Sequence, residues 1–486
     1  MDALRQRRAL PALAVLGTAL APWLAACGGE PGNAAAGDPG STPRSGAADA
    51  PLQAFVGATL WDGTGAPPVP EAVLLVRNGR VEAVGPAAEV DVPGDATVHD
   101  LAGRWIVPGL INAHGHVGQA RGLVSGVEAH TRENMEDQLA LSARYGVTTV
   151  VSLGEPGYEG VAVRDAQPSA GADLRLDPTR LDVARADVAR ADVARSDEPR
   201  LDRARLFVAG VVMNPRTPAE AAPQVAERAA ARVDWAKIRV DDGLGTGEAM
   251  DRPTYAATIH ASHEAGLPLT AHVVTLEDAR GLVREGVDVL GHSIRDLPVD
   301  RELVELMREA EVCLHPTLTR EVSTFVYAQR PYFFDDPFFL RDADPAIVAE
   351  LLLPERQAGY TGRAADWYRN QLPVAMANMV TLHEGGVRLA FGTDSGPPAR
   401  FQGYFEHMEL AMMQEAGLSP EAILISATSV AAACMRLEGV GTLTPGNWAD
   451  FMVVRADPLA DIRHLRQIQE VRVAGNPVPG AAFEGR

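Results

Sequence analysis

Lysine is almost absent from this chain of 486 residues, because Lys237 is the only lysine among 44 lysine and arginine side chains. Arginine occupies every other basic position, so a lysine needed only for solubility or a surface ion pair would be expected to be arginine as well. Lysine can do what arginine cannot: its pKa moves with its environment, so it can lose a proton and act as a nucleophile. Lys237 lies in the apolar run 235–240, where a free ammonium group is costly to bury. We therefore interpret it as a reactive group, with accidental retention in a strand as the alternative.

Positive charge and cysteine are also scarce. The chain has 44 basic against 64 acidic side chains, a formal net charge of −20. This balance argues against nucleic acid as a partner and against binding to anionic lipid by charge. Of the three cysteines, Cys313 and Cys434 lie in apolar surroundings. We interpret both as buried free thiols, with a disulfide between them as the alternative.

Candidate metal ligands follow several apolar runs that are typical of β-strands. His114 and His116 end the first of these runs, and residues i and i+2 of a strand point to the same face, so both imidazoles can reach one ion. Three later runs each end in a further candidate ligand, namely His272, His292 and Asp394. A carbamate formed from Lys237 and CO2 would add a carboxylate able to bridge two ions. Such a nitrogen and oxygen set suits zinc, manganese or similar ions.

Four segments together carry a family resemblance: 107–116, 146–150, 391–395 and 443–454. They resemble the metal-dependent amidohydrolase superfamily, in the branch with imidazolonepropionase-like and Xaa-Pro dipeptidase-like enzymes. The resemblance extends from about Phe55 to Val478. It implies two divalent ions, expected to be zinc, and a carboxylated Lys237 that bridges them. The implied metal ligands are His114, His116, Lys237, His272, His292 and Asp394.

The order of the apolar runs predicts the fold class. Eight β-prone runs occur at 105–114, 146–154, 205–213, 235–241, 267–274, 287–293, 312–318 and 387–394. Helical stretches such as 254–265 and 300–310 separate most of them. Strands that alternate with helices favour an α/β fold, here a (β/α)8 TIM barrel over 105–440. The active site of such a barrel lies at the carboxyl ends of the strands. The two β-rich chain ends, 52–104 and 441–486, are expected from the resemblance to form a small β-sandwich.

The resemblance also implies a reaction, hydrolysis of a carbon–nitrogen (amide) bond by a hydroxide that bridges the two ions. Asp394 would be the catalytic residue that passes a proton to the leaving nitrogen. A dipeptide or an N-acyl amino acid is the expected small-molecule substrate. The alternatives are hydrolysis of cyclic amides, lactones or phosphoesters, and a non-catalytic metal-binding lipoprotein. Candidate substrate contacts follow the sixth and seventh strands: Arg295, His315, Arg320 and Tyr327.

Two segments between barrel strands have unusual composition. Seven of the twenty Phe and Tyr residues lie within 325–339, which we call the aromatic loop. It could be a lid or an apolar wall of the substrate pocket, in which case substrates would carry a hydrophobic group, or a satellite core under a long loop. The repeated segment 181–195 has a five-residue step that forms no continuous apolar helix face, and we interpret it as a low-complexity expansion.

The first 27 residues predict export rather than folded structure. Arg5, Arg7 and Arg8 precede an apolar stretch over 9–23, and 24–27 form a lipobox that ends at Cys27. We expect cleavage before Cys27, lipidation of its sulfur, and a flexible tether over 28–51. Gly28 favours the outer membrane, on the periplasmic side. The alternative is an uncleaved membrane helix, and the sequence leaves a homo-oligomer open.

Overall fold

The computed structural model describes residues 51–167 and 201–484. The predicted signal peptide, the lipidation site Cys27, nearly all of the tether and the repeat 181–195 lie outside these residues. Within the described residues, no helix is both long and apolar enough to cross a membrane.

The described part of the chain alternates between short strands and helices. The strands are β1 Gln53–Leu60, β2 Val69–Arg77, β3 Arg80–Pro86, β4 Thr97–Asp100, β5 Trp105–Pro108, β6 Leu110–Gly115, β7 Ala120–Arg121, β8 Val124–Ser125, β9 Val147–Ser152, β10 Arg205–Val208, β11 Ala236–Arg239, β12 Leu269–His272, β13 Val289–Leu290, β14 Cys313–Leu314, β15 Phe451–Val454, β16 Ile468–Val473 and β17 Asn476–Pro477. The α-helices are α1 Arg132–Arg144, α2 Glu159–Asp165, α3 Ala221–Ala230, α4 Arg252–Glu264, α5 Leu276–Arg284, α6 Arg301–Glu309, α7 Leu318–Val322, α8 Pro337–Leu340, α9 Pro345–Leu351, α10 Pro354–Ala358, α11 Arg363–Glu384, α12 Tyr404–Ala416, α13 Pro420–Ser426 and α14 Ser429–Cys434.

Seven of these strands form two parallel sheets, in the orders β10-β9-β6 and β11-β12-β13-β14. An isolated bridge between Met213 and Ile238 connects the two sheets. The segment 387–395 lies on the other side, where Leu389 bridges Leu314 and Ser395 bridges Gly115. Each parallel strand is followed by a helix, which is the alternation predicted for a (β/α)8 barrel. The carboxyl ends of the strands therefore meet at one face.

The eighth predicted strand, 387–394, makes isolated bridges rather than a regular strand. The amides of Thr393 and Asp394 both donate to the same carbonyl, that of His114. Asp394 has a φ of 58°, in the left-handed region that ends an extended conformation. This bend turns the chain where it carries its candidate ligand.

The first predicted strand, 105–114, is two strands in the structure. Pro108 and Gly109 interrupt it, and a side chain at Gly109 would come within 2.2 Å of Thr148 Oγ1. Before the interruption, β5 pairs with β1 and β15; after it, β6 pairs with β9. The predicted barrel boundary at residue 105 therefore falls inside the sheet formed by the chain ends.

The two chain ends share one eight-stranded sheet, in the order β17-β16-β15-β5-β1-β2-β3 with β4 beside β1. β2 and β3 form a hairpin, because they are antiparallel and Asn78 and Gly79 between them both have positive φ. Phe55 and Phe451 pack edge to face across this sheet, with ring centroids 4.9 Å apart. Association of the two ends is thus observed, whereas the β-sandwich stays a prediction.

The interpretation of Cys313 and Cys434 as free thiols is wrong, because the structure joins them in a disulfide. Their Cα atoms lie 6.1 Å apart, within the range that a disulfide spans. The two residues are separated by 121 positions, so the sequence offered no local sign of their proximity. The bond ties β14 of the barrel to the end of α14.

Candidate metal centre and active site

Three candidate ligands converge at the carboxyl end of β6. The ligand atoms of His114, His116 and Asp394 all lie within 4.8 Å of one another. His116 Nε2 is 2.6 Å and His114 Nε2 is 3.9 Å from Asp394 Oδ1. The i and i+2 spacing in β6 and the bend at Asp394 produce this arrangement.

The hydrogen bonding of His116 tests whether this group fits a cation. Its Nδ1 lies 2.7 Å from the carbonyl oxygen of Gly154, which can only accept, so Nδ1 carries a proton. In a neutral ring Nε2 then presents a lone pair to Asp394 Oδ1. Two facing lone pairs at that distance repel each other, so Nε2 and Oδ1 are a pair of donor atoms that a cation bound to both would stabilise. The donors therefore fit a divalent ion.

Lys237 lies beside this group, on β11. Its Nζ is 3.2 Å from His114 Nε2, and the residue is 4% exposed. Burial lowers the pKa of Lys237 to about 7, so much of the amine is neutral near neutral pH. A neutral amine is the form that reacts with CO2. The position and protonation of Lys237 are those needed for a carbamate next to His114.

His272 and His292 complete the cluster from β12 and from the end of β13. The His292 ring lies 4.2 Å from the His272 ring and 4.7 Å from the His114 ring, measured between centroids. Burial lowers the pKa of His272 to about 3 and holds the pKa of His292 well below its ordinary value. Both imidazoles are therefore neutral, which is the form that binds metal ions.

Two charged residues of the site escaped the sequence analysis. Asp241, two residues beyond β11, places Oδ2 2.6 Å from His272 Nε2. Arg400 places Nη1 2.5 Å from Asp394 Oδ2. Burial alone would raise the pKa of Asp394, but Arg400 and then His116 hold it well below its ordinary value. The only sequence signal for Arg400 is its place in the loop that follows Asp394.

The four candidate substrate contacts occupy different environments. His315 Nδ1 lies 3.4 Å from His114 Nδ1, and His315 Nε2 has no hydrogen-bond partner among the described residues. Arg320 is 8% exposed and donates from Nη2 to the Tyr368 hydroxyl, 3.1 Å away. The structure therefore brings His315 to the cluster, whereas Arg320 acts on His272 through its charge and is paired with Glu321 Oε2 at 3.0 Å.

Arg295 and Tyr327 are committed to contacts within the protein. Arg295 is fully buried, with Nε 3.0 Å from Glu321 Oε1. Tyr327 is also fully buried and donates its hydroxyl hydrogen to the carbonyl of Ala399. Neither placement offers the side chain to a substrate.

The aromatic loop packs into the main hydrophobic core. Phe333, Phe334, Phe338 and Phe339 are all buried, and the rings of Phe334 and Phe339 stack with centroids 5.4 Å apart. Tyr404 of α12 packs against three of these rings. Of the other aromatic residues in the loop, Phe325 is partly buried and Tyr332 is 73% exposed. The aromatic loop is thus part of the main core rather than a separate satellite core, and its packing gives no support to a lid.

Comparison with known proteins agrees with this architecture. Residues 105–478 match the Amidohydrolase family. An imidazolonepropionase from Paracoccus denitrificans is 26% identical over 445 residues, 84% of this chain and 92% of that protein. An enamidase from Eubacterium barkeri is 33% identical over 87 residues, 18% of this chain and only 21% of the enamidase.

A solved structure extends the likeness to the fold. A Xaa-Pro dipeptidase with bound methionine in its active site superposes with a TM-score of 0.65 at 19% identity, covering 88% of this chain and 99% of that one. The family match and this likeness confirm the predicted superfamily, the enzyme class and the TIM barrel. This chain belongs to the amidohydrolase family.

Proposed function

We propose that the protein is a metal-dependent hydrolase that cleaves a carbon–nitrogen bond, with a dipeptide or an N-acyl amino acid as its substrate. The observation that carries the proposal is the position of Lys237, the only lysine of the chain, 3.2 Å from His114 in a buried group of imidazoles with Asp394 beside it. The family match supports the reaction class.

The proposed centre holds two divalent ions, expected to be zinc. His114, His116, His272, His292, Asp394 and a carboxylated Lys237 would be the ligands. Bound ions of this kind lower the pKa of water and polarise a carbonyl group. Neutral imidazoles and an ionised Asp394 are the protonation states this role needs, and burial and Arg400 favour them.

Asp394 is the proposed proton carrier. Arg400 and His116 keep its carboxylate ionised and aligned, and only the ionised form can take a proton from the attacking water before delivering it to the leaving nitrogen. Arg320 is the proposed contact for a substrate carboxylate, since it keeps 8% exposure whereas Arg295, the other buried arginine near His272, has none. A guanidinium can hold a carboxylate with two hydrogen bonds.

A second candidate keeps the site and changes the bond to that of a cyclic amide, lactone or phosphoester. The imidazolonepropionase from Paracoccus denitrificans, similar over most of its length, is the specific reason to include an imidazolone among the test substrates. A metal-binding lipoprotein without turnover is the third candidate, and it would fail on every substrate.

We also propose that the protein is an exported lipoprotein, anchored through Cys27 on the periplasmic side of the outer membrane. The disulfide between Cys313 and Cys434 supports export, because disulfides persist mainly in oxidising compartments. Expression of the wild type and of Cys27→Ser in a bacterial host tests the anchor. Wild type should fractionate with membranes and the variant should be released; equal fractionation of the two would contradict it.

Metal content per chain tests the function. The full-length protein is purified with bicarbonate present and its metals are counted alongside those of Lys237→Ala. Two divalent ions in the wild type, with a clear loss in the variant, would support the proposal and justify a screen of dipeptides, N-acyl amino acids and imidazolones. One ion or none, unchanged by the substitution, would contradict the paired centre.

A further inference from the structure

Helix α12 carries two buried glutamates that have no part in the proposed chemistry. Glu406 and Glu409 are 1% and 0% exposed, and their spacing of three residues places both on one face of the helix. Buried carboxylates are costly unless hydrogen bonds compensate them. Each must therefore be explained by what it contacts.

Glu406 joins the strand of His114 to the loop of Asp394. Its Oε1 accepts from Asn112 Nδ2 at 2.7 Å and from Ser395 Oγ at 2.6 Å. Ser395 follows Asp394 directly, and Asn112 Oδ1 accepts in turn from the amide of His114 at 3.0 Å. One carboxylate oxygen thus connects the strand that carries His114 to the loop that carries Asp394.

Glu409 fixes the turn behind His292. Its two oxygens accept from the amides of Leu318 and Thr319, each at 2.7 Å. The residue before them, Thr317, has a φ of 49°, and its Oγ1 lies 2.7 Å from His292 Nδ1. A β-branched residue in the left-handed region is strained, so the turn needs such anchoring.

We propose that Glu406 and Glu409 are positioning residues that hold the ligands of the metal centre in place from α12. Glu406 fixes the position of His114 relative to Asp394, and Glu409 fixes the position of His292. The inference rests on the proposed function, because it needs a metal centre. Groups that orient ligands in this way typically change metal affinity or activity by about 10–100-fold when removed.

The contacts of Glu406 and Glu409 predict opposite effects on zinc binding when each glutamate is replaced by glutamine. Both hydrogen bonds of Glu406 described above end on Oε1, so Glu406→Gln can keep them with its amide oxygen. Glu409 accepts backbone amides on both oxygens, so Glu409→Gln would turn an N–H group against another N–H group. A general loss of packing would not distinguish these two substitutions.

The experiment is a zinc titration of the metal-free full-length chain in competition with a chromophoric chelator, with thermal unfolding of the metal-free form measured in parallel. Variants are Glu406→Ala, Glu406→Gln and Glu409→Gln. His407→Leu is the matched control, because His407 lies on the same helix, is buried, and has Nε2 2.8 Å from the Tyr145 carbonyl, away from the ligands.

We expect Glu406→Ala and Glu409→Gln to weaken zinc binding by about 10–100-fold, while Glu406→Gln and His407→Leu bind like the wild type. Should Glu406→Ala not fold, Ser395→Ala removes one of the same hydrogen bonds and should show a smaller loss. The inference alone would be overturned if the wild type binds zinc tightly and the substitutions leave that affinity unchanged. The substitutions that count are Glu409→Gln together with Glu406→Ala, or with Ser395→Ala in its place. A wild type that binds no zinc would contradict the proposed function and the inference with it.

Discussion

Arg400 Nη1 lies 2.5 Å from Asp394 Oδ2, while His116 Nε2 lies 2.6 Å from the other oxygen of the same carboxylate. The proposed proton carrier is thus held between a permanent cation and the imidazole of His116. Arg400 also donates from Nε to Ser323 Oγ at 3.0 Å, which fixes its own orientation. Its role is to keep Asp394 ionised and aligned.

Replacing Arg400 tests this role. Arg400→Met should lower kcat/KM by about 10–100-fold, since an orienting partner of a ligand is lost, and Arg400→Lys should lose less because it keeps the charge. Steady-state kinetics on the best substrate from the screen provides the measurement. Arg388, which is half-buried and donates to the Glu311 carbonyl, supplies the control Arg388→Met. Equal kinetics for Arg400→Met and this control would contradict the role.

Substitutions of Lys237 provide the second test of the proposed metal centre. Lys237→Ala should lose the second ion and nearly all activity, because no carbamate can form. Short carboxylic acids added to this variant should restore part of both by supplying the missing carboxylate. Lys237→Arg should stay inactive, since arginine remains protonated. Full activity and full metal content in Lys237→Arg, measured in the same assays, would rule out the carbamate.

The part of the site that was predictable from sequence lies at strand ends. His114, His116, His272, His292 and Asp394 each follow an apolar run, and parallel strands bring such positions to one face. Lys237 stood out because the chain has no other lysine. These residues were identifiable because their signal is local, consisting of a run, a spacing or a composition.

The remaining residues depend on tertiary contacts that no local pattern reveals. Arg400 is one of many arginines until the loop after Asp394 folds back, and Glu409 resembles any helical glutamate until α12 packs against α7. The same holds for the disulfide of Cys313, whose partner is 121 positions away. The division of 105–114 into two strands depends on the close approach of Gly109 to Thr148.

The buried carboxyl group of Glu155 should make the stability of the protein depend on pH. Burial, with Asp234 adding to it, raises the pKa of Glu155 from 4.5 to about 8. Because the folded state keeps its proton while the unfolded state loses it, this contribution to stability is fully present below pH 4.5 and is lost as the pH rises toward 8. Glu155→Gln should therefore flatten the decrease in unfolding free energy across this window.

Urea unfolding at a series of pH values measures this slope for the wild type and Glu155→Gln. The slope is the quantity to compare, because a buried amide at this position also lacks a partner and can lower stability at every pH. The exposed Glu421 provides the control Glu421→Gln, which should leave the wild-type slope unchanged. An unchanged slope in Glu155→Gln would mean that this carboxyl is already ionised in the folded protein.

The disulfide predicts a redox-dependent stability. The disulfide joins residues 121 positions apart, which restricts the unfolded chain. Removal of such a bond typically lowers the free energy of unfolding by about 2–4 kcal/mol. The double variant Cys313→Ala and Cys434→Ala should unfold at a lower temperature than the oxidised wild type. Adding a reductant should lower the wild-type value toward that of the variant and leave the variant unchanged. Insensitivity of the wild type to reductant would show that the thiols are not paired.

Asp394→Asn separates metal binding from proton transfer. An asparagine oxygen can still face His116, and Lys237, His114 and His292 are untouched, so metal content should stay close to that of the wild type. An amide cannot take up a proton as a carboxylate does, so kcat should fall by about 10²–10⁴-fold, the usual contribution of general acid–base catalysis. Metal analysis and kinetics on the same preparation are both required. Loss of metal together with activity would show that the ligand role of Asp394 dominates, whereas retained turnover would remove it as the proton carrier.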